Sequence, residues 1–189
     1  MCPSIDSGLA AQRAWLLGSA FIASCACCAQ VEQLKEPFEG AIECDETAFG
    51  GVRKAKRGWG SAGKVIVFGL VKRNGRVKAM PIPVRDRASI MREIDAHTRK
   101  GALYYTDQWQ AYATLKLRGE HGMIRKEKGR SVGRDHINGI EGFWSHAKNW
   151  LYPYQGVPRQ YFHVYLDEVC CRYSHRGEDL KPLIFKLLK

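Results

Sequence analysis

From Glu39 onward the chain alternates between short apolar runs and longer stretches with helical spacing. Ala41-Ile42-Glu43-Cys44-Asp45 is a short strand candidate that ends in acidic residues and runs into Phe49-Gly50-Gly51. After a glycine-rich basic loop over residues 51–64, Val65–Val71 and Arg76–Ile82 read as two strands. Asn74-Gly75 joins them, a dipeptide that accepts positive φ at both central positions of a tight hairpin. Ser89–Lys100 predicts a helix with Ile90, Ile94 and His97 at helical spacing, and Ala102–Tyr105 a buried strand ending at Thr106-Asp107. Trp109–Leu117 reads as a second helix, Met123–Lys126 as a short strand and Glu127–Asp135 as a polar, basic loop. His136–Leu151 is a longer helix, and Arg159–Tyr173 closes the pattern as another. This order predicts an α/β layer with a mixed sheet flanked by helices. The first strands pair antiparallel, and a crossover adds the strand that ends at Asp107.

The pattern does not extend to the N-terminus. Residues 1–38 lack turn signals, capping boxes or an amphipathic period that would tie them to the rest of the chain, and suggest at most a helix around residues 8–34. The apolar stretch Ala14–Ala29 imitates a signal peptide, but Gly18, Ser19 and Ser24 interrupt it and it is short for a membrane span. The expected division is therefore an atypical segment over 1–38, one main domain over 39–174 and a tail over 175–189, with no membrane partner. Seven cysteines are present; Cys2, Cys25, Cys27 and Cys28 crowd the N-terminus while Cys44, Cys170 and Cys171 are scattered. Paired knuckles at zinc-site spacing are missing, so the cysteines read as reduced thiols of a cytoplasmic protein.

Charge narrows the partner. The 189 residues carry 30 Lys and Arg against 19 Asp and Glu, a net +11, with 45% hydrophobic residues, enough to bury a core. Residues 1–40 hold Arg13 and Lys35 against Asp6, Glu32, Glu36 and Glu39, a net −2, which leaves +13 on the rest. A polyanion such as nucleic acid is the first expectation for that basic part.

The acidic residues supply candidate chemistry. Asp45 and Asp107 each end a predicted strand, where active sites of such sheets sit. If the strands are neighbours the carboxylates converge, and the repulsion calls for a cation, with magnesium the natural ion for hard oxygen ligands. Glu141 lies 34 positions after Asp107 on the long helix, and Asn138 shares its face. Two divalent ions about 4 Å apart can activate an attacking oxygen and stabilise a leaving one at phosphorus. Lys148, two turns after Glu141, is placed to contact a phosphate beside such ions. Each group also has an ordinary reading: Asp45 and Glu46 as strand-end residues, Asp107 as a cap for the following helix, Glu141 and Lys148 as a solvated face. Glu43 alternates onto the face of Asp45 and reads as a strand residue or accessory ligand.

Three strings together carry a resemblance. Glu43-Cys44-Asp45-Glu46-Thr47-Ala48-Phe49-Gly50-Gly51, Tyr105-Thr106-Asp107-Gln108-Trp109-Gln110-Ala111-Tyr112 and His136-Ile137-Asn138-Gly139-Ile140-Glu141-Gly142-Phe143-Trp144 resemble the ISXO-like transposase domain of the insertion-sequence family numbered 1595, especially its group 1016. The resemblance runs from about residue 39 to about residue 174. It implies a ribonuclease-H-like fold and a DDE transposase that uses two magnesium ions, with manganese as a substitute, to cut transposon ends and join them to target DNA. By motif position Asp45 is the first metal ligand, Asp107 the second and Glu141 the third, with Lys148 as the associated base. Some members resemble this pattern with asparagine as third ligand, which keeps Asn138 a candidate; Glu141 is favoured because it supplies charge as well as oxygen. The resemblance also implies a homo-oligomer on DNA and an upstream DNA-reading region. Residues 1–38 do not match such a region, and the expectation drawn from this is a truncated or frameshifted gene. The alternative function is a catalytically inactive DNA-binding remnant.

Two basic segments are the expected contacts to double-stranded DNA. Residues 51–64 carry Arg53, Lys54, Lys56, Arg57 and Lys64 without an acid, among glycines that let backbone approach phosphate. Lys116–Arg134 has Lys116, Arg118, Arg125, Lys126, Lys128, Arg130 and Arg134 against Glu120 and Glu127, a net +5. Such contacts position DNA without reading its sequence. Trp59 reads as a base-stacking or sheet-packed residue, Trp109, Tyr112, Phe143 and Trp144 as packing residues, and His136 and His146 as helix-start or surface groups.

Overall fold

The charged residues Glu43, Asp45 and Glu46 do not end the first strand. In the computed structural model β1 runs over Ala41–Phe49, with Asp45 at its middle. The structure describes residues 36–50, 64–73, 75–107, 109–124, 136–154, 157–180 and 182. The N-terminal segment, most of the 51–64 loop, the 127–135 loop, Trp59 and Asn74 lie outside these, and with them Arg53, Lys54, Lys56, Arg57, Lys126, Lys128 and Arg130.

β1 keeps going because its partner does. β2, Val65–Lys72, pairs antiparallel with it from Ile42↔Lys72 to Phe49↔Val65, so the carboxylates are carried in the middle of a continuous ladder. β3, Val77–Ile82, pairs antiparallel with β2, as the Asn-Gly turn predicts. Lys72 N–H donates to the Arg76 carbonyl at 3.0 Å, and Gly75 N–H donates to that of Lys72 at 2.9 Å, which closes the turn. Helix α1, Arg87–His97, starts two residues earlier than its apolar spacing predicts, because Asp86 accepts the Ser89 N–H as a side-chain cap at 2.8 Å. It returns the chain to β4, Leu103–Thr106, which lies parallel to β1.

Two further elements depart from expectation. Gln110–Leu117 is a 3₁₀ helix, which keeps Ala111, Tyr112 and Leu115 buried at roughly three-residue spacing. The last strand, β5, is Glu120–Met123 and not Met123–Lys126. Its parallel register against β4, Leu103↔Glu120 to Thr106↔Met123, starts where Gly119 passes the Ala102 carbonyl so closely that a Cβ would sit 2.1 Å from its oxygen. As an edge strand it carries Glu120 and His121, and the apolar Met123-Ile124 pair marks only its end. Helix α2 spans Asn138–Leu151; after a 3₁₀ turn at Arg159–Tyr161, α3 covers Phe162–Ser174.

The sheet order is β3-β2-β1-β4-β5, three antiparallel strands followed by two parallel additions. This is the ribonuclease-H-like α/β arrangement, a mixed sheet flanked by helices. One core packs α2 and α3 onto Val67, Val71, Val77 and Ala79; the other packs α1 and the 3₁₀ helix onto Ile42, Cys44, Phe68 and Tyr104. Cys44 and Cys170 are free, buried thiols. Among the described residues, no helix is long and apolar enough to cross a membrane.

Candidate active site

Alternation along β1 sends Glu43 and Asp45 to the α2 face and Glu46 to the other. Asp45 pairs across the ladder with Gly69. The missing side chain of Gly69 admits the Trp144 ring, since a Cβ there would lie 2.6 Å from two of its carbons. Seated on Gly69, Trp144 donates its indole Nε1–H to Asp45 Oδ2 at 3.1 Å.

The β1–β4 register aligns the second aspartate. It joins Ala41 to Leu103 and Glu43 to Tyr105, two residues short of Asp45 and Asp107, whose carboxyls lie close enough for the charge of Asp107 to act on Asp45. Burial pushes the Asp45 carboxyl up to about 6, helped by the negative charges of Glu46 and Asp107 and opposed by hydrogen bonds from the Glu46 backbone and the Trp144 indole. Asp107 follows β4 directly, and its Oδ1 accepts the Trp109 N–H at 3.0 Å. This is a turn leading into the 3₁₀ helix and not the expected helix cap, since the helix starts from Trp109 without a side-chain cap. The Thr106 hydroxyl fixes the same corner, bonded to the Asp107 carbonyl and to His121 Nε2, each at 2.8 Å.

The third acidic residue stands apart from this pair. α2 buries Ile140, Phe143, Trp144 and Ala147. One rim of that stripe faces α3, where Phe143 meets Tyr173 at 5.2 Å between ring centroids; the other reaches Asp45 through Trp144. At about 100° per residue, exposed Glu141 and Lys148 fall on the Asp45 rim, and exposed Asn138 lies further round. Among the described residues, no three His, Cys, Asp or Glu side chains group closely enough to hold a metal ion. Asp45 and Asp107 are brought together; Glu141 is on the adjoining rim without closing the set.

Residues 37–174 match the family of ISXO2-like transposase domains. The chain belongs to that transposase family. A "transposase-like protein" of Haemophilus influenzae is 27% identical over 110 residues, covering 58% of this chain and 88% of the relative. A chain of the simian T-cell lymphotropic virus intasome in complex with PP2A regulatory subunit B56 gamma superposes with a TM-score of 0.47 at 15% identity. That match covers 70% of this chain and 48% of the other, so the transposase domain spans about half the length of the solved chain.

Several residues of this transposase domain act differently from their sequence reading. Trp144 packs as expected, but it also holds the Asp45 carboxylate. Glu43 is neither a bystander nor a member of the aspartate pair: only 1% exposed, its Oε2 accepts the Ile140 N–H at the start of α2 at 2.9 Å. Gly139 permits this, since a Cβ there would lie 2.8 Å from Glu43 Oε2. Glu46, 4% exposed, accepts from Arg85 and from the Tyr112 hydroxyl on the opposite face, and Arg85 stacks on Trp109 at 3.8 Å. Arg118, counted with the basic segment, is spent on structure: it pairs with Asp95 and donates to the Thr98 carbonyl at 2.5 Å. Lys64 is half-buried at the start of β2, with its carbonyl bonded to Arg159 at 2.5 Å. His136 sits before α2 with Nδ1 3.8 Å from Glu43 Oε1, and exposed His146 lies 5.4 Å from the Tyr173 ring. The one signal in sequence for Trp144 is its place three residues after Glu141, on the same rim of the helix.

Proposed function

We propose that this chain is a DDE transposase whose Asp45, Asp107 and Glu141 bind divalent metal for cleavage and joining of double-stranded DNA. The observation that carries the reading is the Asp45–Asp107 pair. Asp45 on β1 and Asp107 directly after the neighbouring parallel β4, with the Asp45 carboxyl pushed up to about 6 chiefly by burial and also by the charges of Glu46 and Asp107, form a hard-oxygen donor pair that fits Mg2+ or Mn2+. When bound, such ions polarise phosphodiester oxygens and stabilise the leaving oxygen.

The chain's own groups supply the rest. Trp144 orients one oxygen of Asp45 by its indole hydrogen bond, and the carboxylate so held would be a ligand to the metal. The Trp109 N–H holds Asp107 in one rotamer. Glu141, on the adjoining α2 rim, would complete the donor set once metal is bound, and Lys148, on the same rim, would neutralise a phosphate beside the site. Arg53, Lys54, Lys56, Arg57, Lys64, Lys126, Lys128 and Arg130 hold the flanking duplex, and self-association brings two DNA ends together.

The separation of Glu141 from the pair favours a second reading, a DNA-binding remnant without turnover. One cleavage experiment separates the two. Wild type should nick supercoiled DNA only with Mg2+ or Mn2+, Glu141→Gln should lose at least a hundredfold in rate, and Asn138→Ala should lose less than tenfold. Folded wild type without metal-dependent nicking supports the remnant; the reverse ranking of the two variants transfers the third-ligand role to Asn138.

A further inference from the structure

Arg73, in the turn after β2, touches all three segments that carry the proposed ligands. Its Nε donates to Glu43 Oε1 at 3.1 Å, two residues before Asp45 on β1. Its terminal nitrogen donates to the His136 carbonyl at 2.6 Å, at the entry to the helix of Glu141. Its guanidinium carbon lies 3.7 Å from the centroid of the Tyr105 ring, two residues before Asp107 on β4. Glu43 passes the link on, since its second oxygen caps Ile140 at 2.9 Å.

We propose that Arg73 is a positioning residue, which through Glu43 fixes the helix bearing Glu141 against the strands bearing Asp45 and Asp107. The inference deepens the transposase reading and rests on it for its catalytic consequence. Its chemistry is that of the planar guanidinium. Five fixed donors and a flat face satisfy a carboxylate, a carbonyl and an aromatic ring at once, which a lysine ammonium cannot reproduce. Burial raises the stakes: the Arg73 side chain is 19% exposed and that of Glu43 2%, so neither partner exchanges its bond for water without cost. The α2 terminus has no side-chain cap from Ile137; its Ile140 N–H is taken by Glu43 and its Asn138 N–H meets His136 Nδ1 at 3.4 Å.

The test uses the full chain with Arg73→Met, which keeps the stem, and Arg73→Lys, which keeps the charge. Hydrogen exchange is read at the Ile140 and Glu141 amides, with Val71 and Phe68 as reporters of global opening. In Arg73→Met the two α2 amides should exchange at least tenfold faster while the β2 reporters change less than twofold, and Arg73→Lys should fall between. In single-turnover nicking, the rate at saturating DNA should fall at least thirtyfold with half-saturating DNA unchanged within twofold, and Arg73→Lys should recover part of it. Unchanged α2 protection overturns the inference, as does a uniform rise in exchange with an undiminished rate per folded molecule. If Arg73→Met does not fold, Arg73→Lys and Glu43→Gln carry the same comparison. If wild type itself fails to nick DNA with metal, the transposase reading falls, and the exchange measurement alone decides whether Arg73 docks α2.

Discussion

Asp45 is held by opposing influences, and its chemistry follows from their balance. Burial and two neighbouring negative charges favour its proton, whereas the Trp144 indole and the Glu46 backbone favour its charge. With the carboxyl at about 6, a metal ion at low pH must displace a proton. Apparent Mn2+ affinity should therefore fall up to tenfold per unit as pH drops below about 6, and level off above it. Trp144→Phe removes a donor to the ionised form, so the inflection should move to higher pH. Titrations at pH 5, 6, 7 and 8 check this, and an inflection left in place by Trp144→Phe would separate the indole from the carboxylate's ionisation. Glu46 shows why adjacent acids in one strand need not compete for one metal. The strand turns it to the opposite face, where Arg85 and Tyr112 use both its oxygens.

At the scale of elements, the site depends on close packing between β2 and α2. Gly69 is the point of closest approach, and Gly69→Ala must push the Trp144 ring away from Asp45. We expect a destabilisation of about 1–3 kcal/mol, as for overpacking elsewhere, together with a fall in nicking rate larger than the unfolded fraction explains. Denaturant melts read beside the nicking assay would reveal it; full activity in the folded variant would show that Trp144 need not sit where it does. The hairpin, α1 and β4 were legible in the sequence because turn chemistry and apolar period are local. The length of β1 was not, since its charges look like a strand end until partners from other elements satisfy them. The same holds at the site. Asp45, Asp107 and Glu141 stand out by motif, whereas the Trp144–Asp45 bond spans 99 residues and the Arg73–His136 bond 63, and no local pattern announces either.

For the whole molecule, the sheet order joins the face of Asp45 and Asp107 to a strongly basic chain. On the proposed reading, the net +13 beyond residue 40 would give long-range attraction to DNA and the carboxylate pair would mark where the backbone is cut. Exchanging Arg53, Lys54, Lys56 and Arg57 for glutamine should lower the slope of log affinity against log salt by about 0.9 for each phosphate that is no longer neutralised. A slope equal to wild type would remove that loop from the DNA interface. Arg118 illustrates that basic residues are not interchangeable in such a sum, because its charge is committed to Asp95 and the end of α1.

That Asp45 and Asp107 form one metal site is open to calorimetric titration of the purified chain with Mn2+ at pH 8. Wild type should bind saturably, and Asp45→Asn and Asp107→Asn, both folded, should each bind at least tenfold more weakly. Equal binding by all three proteins, or none by folded wild type, would contradict it.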